Sequence, residues 1–277
     1  MRYKCVVSDL DRTLLNDKSE LSEATTEALR HLIAAGVLVV PASGRPFAAF
    51  PDCVLNLPGI RYAITSNGVA LVDVETKKQI WSLRLKENVA ADILTLTEDF
   101  GVTYEGFIGG KAYTAQDYFE NPVKYGVRPE IISYIQSTRT PVPDIRMFLM
   151  ENRKNLDCMD VIVCPENKKE LFAKIKENIS GVYVTTSAPH LIEISDADAG
   201  KHSGLRKLLA MEQISHSETV AFGDGENDSE MLREAGLGIA VENAGELCKK
   251  AADWITAKSG EDGVAKALYK IFPEIFG

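Results

Sequence analysis

The sequence predicts an α/β fold: a doubly wound, Rossmann-like parallel sheet with an α+β domain inserted into it. Three observations carry that expectation. Short runs of strand length, Cys5–Val7, Val37–Pro41, Tyr62–Thr65 and Val220–Phe222, are apolar at consecutive rather than alternate positions, as in parallel strands buried on both faces. Segments of helical periodicity separate them, so strand, helix and strand alternate. The pattern then changes character at Ile80–Asn88 and returns near His190, which bounds a core of 1–82 and 190–277 around an insertion of 83–189.

Taken in order, the first run ends in two carboxylates one residue apart, Asp9 and Asp11, followed by the hydroxyl of Thr13. Open α/β sheets bind ligands at the carboxyl ends of their strands, so this pair is expected at such an edge. Ser22 is a suitable cap for a helix with apolar Ala28, Leu29, Leu32 and Ile33, and Gly36 stops it. The second run ends in Ser43-Gly44-Arg45 and the third in Ser66-Asn67-Gly68. Within the insertion, strands are expected near 102–107, 111–114, 160–164 and 182–186, with helices near 87–100, 129–137 and 168–179. From His190 the core is expected to resume with a strand at Leu191–Ile194, then Lys201 and a helix near Ser203–Met211. Val220–Phe222 runs into Gly223-Asp224-Gly225-Glu226-Asn227-Asp228, and Leu237–Val241 with a C-terminal helix from Gly263 complete the core.

Composition excludes several classes. With 40 acidic and 31 basic residues among 277, the net charge is -9, which repels nucleic acid and anionic membranes unless a basic patch intervenes, and no run of five basic residues occurs. Hydrophobic content of 45% with a mean hydropathy of -0.08 is that of a globular protein. The first strand begins too early for a signal peptide and no apolar stretch has spanning length, so a cytoplasmic protein is expected, as a monomer or weak dimer. Five cysteines without a C-x-x-C pair read as reduced thiols.

Four segments thus bring Asp9 and Asp11, Ser43, Lys201, and Asp224 with Asp228 to one sheet edge. Carboxylates without Cys or spaced His favour a hard cation, and Mg2+ suits a site with few protein ligands plus water and phosphate. Neither DLDRT nor DGEND continues as a twelve-residue calcium loop, and no G-x-G-x-x-G opens the first helix.

These motifs resemble those of the haloacid dehalogenase-like phosphohydrolases, in particular the Cof-like branch, whose large α/β cap is inserted between the second and third core motifs. D-x-D-x-T is Asp9 to Thr13, the second-motif hydroxyl is Ser43 in SGRP, the third-motif lysine is Lys201, and G-D-x-x-N-D is Gly223 to Asp228. SNG at Ser66–Gly68, ENA at Glu242–Ala244 and DGVAKAL at Asp262–Leu268 also look like this branch. The resemblance implies Asp9 as nucleophile and Asp11 as acid/base. It implies Mg2+ on Asp9, the Asp11 carbonyl, Asp224 and, through water, Asp228. Ser43, Gly44 and Lys201 would hold phosphoryl oxygens, with Leu10, Arg45 and Asn227 also at the substrate. Arg12 and His202 stand where glycine is usual.

The activity so implied is Mg2+-dependent hydrolysis of a small phosphorylated metabolite, a sugar phosphate or phosphorylated cofactor. A phosphotransferase or phosphomutase would use the same aspartyl phosphate but exclude water. A non-catalytic phosphometabolite binder would have no use for both Asp9 and Asp11. Arg45 has two open readings, steering anions or pairing with an acidic neighbour.

Overall fold

The structure, a computed structural model, describes residues 1–277. Two compact units divide the chain: 1–45, 50–81 and 200–277 form the first, and 46–49 with 82–199 the second. No helix is long and apolar enough to cross a membrane.

The first unit opens with strands β1 (Cys5–Asp9), β2 (Leu38–Ala42), β3 (Tyr62–Thr65), β4 (Ala70–Asp73) and β5 (Lys78–Ser82). The second carries β6 (Thr103–Ile108), β7 (Lys111–Ala115), β8 (Arg139–Val142), β9 (Cys158–Ile162), β10 (Val182–Thr185) and β11 (Leu191–Asp196). The chain then returns to the first with β12 (Thr219–Gly223), β13 (Leu237–Val241) and β14 (Trp254–Thr256).

The first sheet has the order β14-β13-β12-β1-β2-β3-β4-β5. From β1 the chain builds outward through β2 and β3 on one side, and later through β12, β13 and β14 on the other, all parallel. Strand order therefore reverses beside β1, and the crevice at a reversal lies outside the carboxyl ends of the strands. Register sets Cys5 opposite both Leu38 and Thr219, so β1, β2 and β12 end together, at Asp9, Ala42 and Gly223. Cys5, Val6 and Val7 are fully buried because the strand is covered on both faces. Each such valine contributes roughly 1.5–3 kcal/mol relative to exposure.

Local chemistry sets the element ends. Ser22 Oγ accepts from the Thr25 N–H at 3.1 Å and caps helix Glu23–Ala34, whose Ala28, Leu29 and Leu32 are buried as their spacing requires. Beyond β1 the chain turns sharply, Arg12 adopts a left-handed φ of 61°, and the Leu15 N–H donates to the Leu10 carbonyl at 2.8 Å. A residue in that conformation explains why glycine suits this position.

The second sheet has the order β10-β11-β9-β6-β7-β8, antiparallel except for β7 with β8. One face packs Tyr104, Met159, Val161, Ile192 and Ile194 against Val89, Ile93, Leu149, Leu171 and Ile175 of three helices, Glu87–Leu96, Ile145–Glu151 and Pro165–Asn178. On the opposite face, pairing sets Glu105, Asp160 and Glu193 side by side. Arg139 forks onto the buried Glu105 carboxylate with both contacts at 3.0 Å.

This sheet corrects the expected return of the core at His190. Strand Leu191–Asp196 pairs with β9 and β10 in the second unit, and the first unit resumes only at Gly200. The alternation was the signal: Ile192 and Ile194 are fully buried while Leu191 and Glu193 are only partly so, the mark of a strand with one covered face.

Candidate active site

The carboxyl ends of β1 and β12 and the start of helix Lys201–Glu212 build the centre of the site. Lys201, 1% exposed, donates to Asp9 Oδ1 and to Asp228 Oδ1, each at 2.6 Å. Burial works to strip its proton, but the two carboxylates overcome that and hold it charged, with a raised pKa. Asp228 is saturated, because its Oδ2 accepts from the amides of Asp224 (3.1 Å) and Gly225 (2.9 Å). Asp9 is not: its Oδ2 is buried and has no hydrogen-bond partner.

Asp224 completes the group. Carboxylate oxygens of Asp9, Asp224 and Asp228 lie within 4.8 Å of one another. Thr13 Oγ1 donates to Asp224 Oδ1 at 3.5 Å, and the Arg12 guanidinium stands 3.7 Å from its Oδ2. Burial first, against the pull of Lys201 and with the push of Asp228 and Asp224, raises Asp9 to about 8. Burial and then Asp228 raise Asp224 to about 6. Three carboxylates thus share one buried ammonium, and a buried acceptor left without a partner costs roughly 1–3 kcal/mol. An all-oxygen donor set with surplus negative charge fits a hard divalent cation.

The loop after β2 supplies the second part. Ser43, 2% exposed, accepts the Arg45 amide N–H on its Oγ at 3.2 Å, with Gly44 between them. The Arg45 guanidinium forks onto Asp11, Nε to Oδ2 at 2.8 Å and Nη2 to Oδ1 at 2.7 Å. Of the two readings open for Arg45, the acidic neighbour is therefore the one seen here. Asp11 stands apart from Asp9, Asp224 and Asp228, with a side chain 43% exposed. The Leu10 side chain is fully buried, which leaves only its main chain for a ligand. Asn227 turns its Nδ2 to Asn67 Oδ1 at 2.8 Å. His202 is half-buried, and burial lowers its pKa, so it brings no built-in cation. Asn67 was given no role by the sequence reading. Its only trace there is the S-N-G triplet after β3.

A family profile for haloacid dehalogenase-like hydrolases matches residues 6–268. The chain belongs to the haloacid dehalogenase-like hydrolases. Among curated members, phosphatase YwpJ of Bacillus subtilis is 32% identical over 96% of this chain and 98% of its own. A second Bacillus subtilis member, 5-amino-6-(5-phospho-D-ribitylamino)uracil phosphatase YcsE, is 29% identical over 96% of this chain and 94% of its own. Among solved structures, a haloacid dehalogenase-like hydrolase from Bacteroides thetaiotaomicron has a TM-score of 0.81 and 26% identity, over 98% of this chain and 100% of its own. A Thermotoga maritima structure has a TM-score of 0.77 and 29% identity, with 97% of each chain covered. As a haloacid dehalogenase-like hydrolase, the chain has the family's α/β core.

Proposed function

We propose that this chain is a phosphatase that hydrolyses the phosphomonoester of a small phosphorylated metabolite, with Mg2+ as its cation and an aspartyl phosphate on Asp9 as intermediate. The observation that carries the reading is the Asp9 carboxylate: buried, fixed through Oδ1 by Lys201, and with Oδ2 free of any partner. A nucleophile needs that free oxygen, and fixing the other one lowers the cost of orienting the attack.

In this reading Asp9 Oδ2 attacks phosphorus, the bond to the leaving alcohol breaks, and Asp11 gives that alcohol its proton. Asp11 then takes a proton from water as the water oxygen attacks phosphorus, the Asp9–phosphate bond breaks, and inorganic phosphate leaves. Arg45 must loosen its grip on Asp11 for either transfer, since both oxygens of that carboxylate are engaged. Ser43, the Gly44 amide and Lys201 bind phosphoryl oxygens, and Arg45, Asn227 and the Leu10 main chain line the same place. Asp9, Asp224 and the Asp11 carbonyl, with Asp228 acting through water, would hold Mg2+, which supplies the positive charge that lets an anionic nucleophile approach an anionic phosphate.

Similarity to the 5-amino-6-(5-phospho-D-ribitylamino)uracil phosphatase of Bacillus subtilis supports a small phosphorylated metabolite as substrate, a sugar phosphate or phosphorylated cofactor. The test is a panel of such metabolites assayed with Mg2+ for phosphate release in the absence of any acceptor. Turnover of at least one is expected. Transfer to a second metabolite with no free phosphate would replace hydrolysis by phosphotransfer, and binding without turnover would remove the enzyme reading.

A further inference from the structure

Three consecutive residues after β3, Ser66, Asn67 and Gly68, have φ of +50°, +53° and +80°. The first two are not glycine and are buried, at 8% and 6% exposure. Left-handed backbone costs an ordinary L-residue roughly 1–2 kcal/mol, and asparagine is among the residues that visit it most readily. A strained, buried turn persists only where its surroundings fix it.

Those surroundings are the loops of the site. The Ser66 N–H donates to the Arg45 carbonyl at 2.9 Å and the Asn67 N–H to the Ser43 carbonyl at 3.0 Å, so the loop after β2 hangs on this turn by two main-chain bonds. The Asn67 side chain lies against Gly44, where an added Cβ would stand 3.1 Å from its Oδ1 and 3.2 Å from its Nδ2. The same Oδ1 accepts from Asn227 Nδ2 at 2.8 Å, across 160 residues of sequence. Gly68 meets the residue before Lys201 so closely that a Cβ would lie 1.8 Å from the Gly200 carbonyl oxygen. One turn therefore touches the Ser43–Arg45 loop, the Gly223–Asp228 loop and the entrance to the Lys201 helix.

We propose that Asn67 is a positioning residue: its side chain sets Asn227 through the Oδ1 hydrogen bond, and its main chain sets the Ser43–Arg45 loop. The inference rests on the reading of Asn227 as substrate-facing. A short side chain on a left-handed backbone suits the task, because it delivers a carbonyl acceptor to Asn227 while its own N–H still faces Ser43. Glycine would keep the backbone and the main-chain bonds but remove the acceptor, and aspartate would keep both.

The experiment is a double-mutant cycle in kcat/KM on the best substrate of the panel, with the full chain and Mg2+. Loss of one buried hydrogen bond that orients a substrate contact predicts about a tenfold drop for Asn67→Gly and a similar drop for Asn227→Ala. Because one residue acts through the other, the double variant is expected within about twofold of the lower single, whereas independent losses would multiply. Asn67→Asp, which retains the acceptor and the backbone preference, should leave the cost of Asn227→Ala as it is in the parent. A multiplicative double variant, or Asn67→Gly at the parental level beside an impaired Asn227→Ala, overturns the inference alone. Asn227→Ala at the parental level overturns the reading of Asn227, and the inference with it. If Asn67→Gly does not fold, the aspartate arm decides: disappearance of the Asn227→Ala cost there refutes the coupling.

Discussion

The surplus of buried carboxylates makes a quantitative prediction about Mg2+ and pH. Asp9 is raised to about 8 and Asp224 to about 6, each above its value in the unfolded chain. A group raised in this way contributes stability that is fully present below its unfolded pKa, near 4, and is lost as pH climbs through the folded pKa. Without a cation, then, the first unit should weaken progressively between about pH 4 and pH 8 as the carboxylates ionise against one another. A divalent cation binds only the ionised forms, so its stabilisation must grow across the same window. At pH 8 and free Mg2+ about 100 times its Kd, the gain is about 2.7 kcal/mol, or roughly 5–10 °C in Tm at ~2–4 °C per kcal/mol. At pH 5 Asp9 and Asp224, both raised, are largely protonated, so the cation must displace protons to bind and the shift should be much smaller than at pH 8. Thermal unfolding followed by circular dichroism at both pH values, with and without Mg2+, reads this directly, with Asp224→Ala as the variant that should lose the shift. An equal shift at pH 5 and pH 8, or one that survives in Asp224→Ala, would refute the reasoning.

Two further predictions concern stability. Arg139→Met strips the cation from the buried Glu105, which lies beside buried Asp160, and should cost roughly 3–5 kcal/mol in urea unfolding; adding Glu105→Leu should recover most of it, and a single variant within about 1 kcal/mol of the parent would contradict this. Gly68→Ala puts a Cβ 1.8 Å from the Gly200 carbonyl oxygen on a φ of +80°, so soluble expression or Tm should fall sharply, and an unchanged Tm would show that the turn and the Lys201 helix can separate freely.

Much of this was legible in the residues. Cys5–Val7 ending in Asp9 announces a buried central strand with acids at its edge, and register then delivers Asp9 beside Gly223 and Ala42 as expected. What the sequence could not carry was partner choice. Arg45 and Asp11 are 34 residues apart, and nothing in SGRP says that the guanidinium will fork onto a carboxylate rather than point outward. Asn67 stayed silent for a similar reason, since a left-handed φ is invisible in an S-N-G triplet until the loops it supports are in place. Short strands were also missed: Arg139–Val142 includes Pro141, and Trp254–Thr256 is only three residues long, so neither offers a readable period. The chain returns to the first unit at Gly200 rather than His190 because Leu191–Asp196 pairs with β9 and β10, a partner choice that its own residues do not reveal.

The central claim is that Asp9 takes the phosphoryl group. During steady-state turnover of the best substrate with Mg2+, the enzyme is quenched with borohydride, which reduces an acyl phosphate to the alcohol, and the peptide from Lys4 to Arg12 is read by mass spectrometry. The account predicts homoserine in place of aspartate at position 9, dependent on substrate and absent from Asp9→Asn, which should also lose turnover. Unmodified Asp9 with the borohydride-reduced residue elsewhere in the chain, or Asp9→Asn turning over within tenfold of the parent, would contradict it.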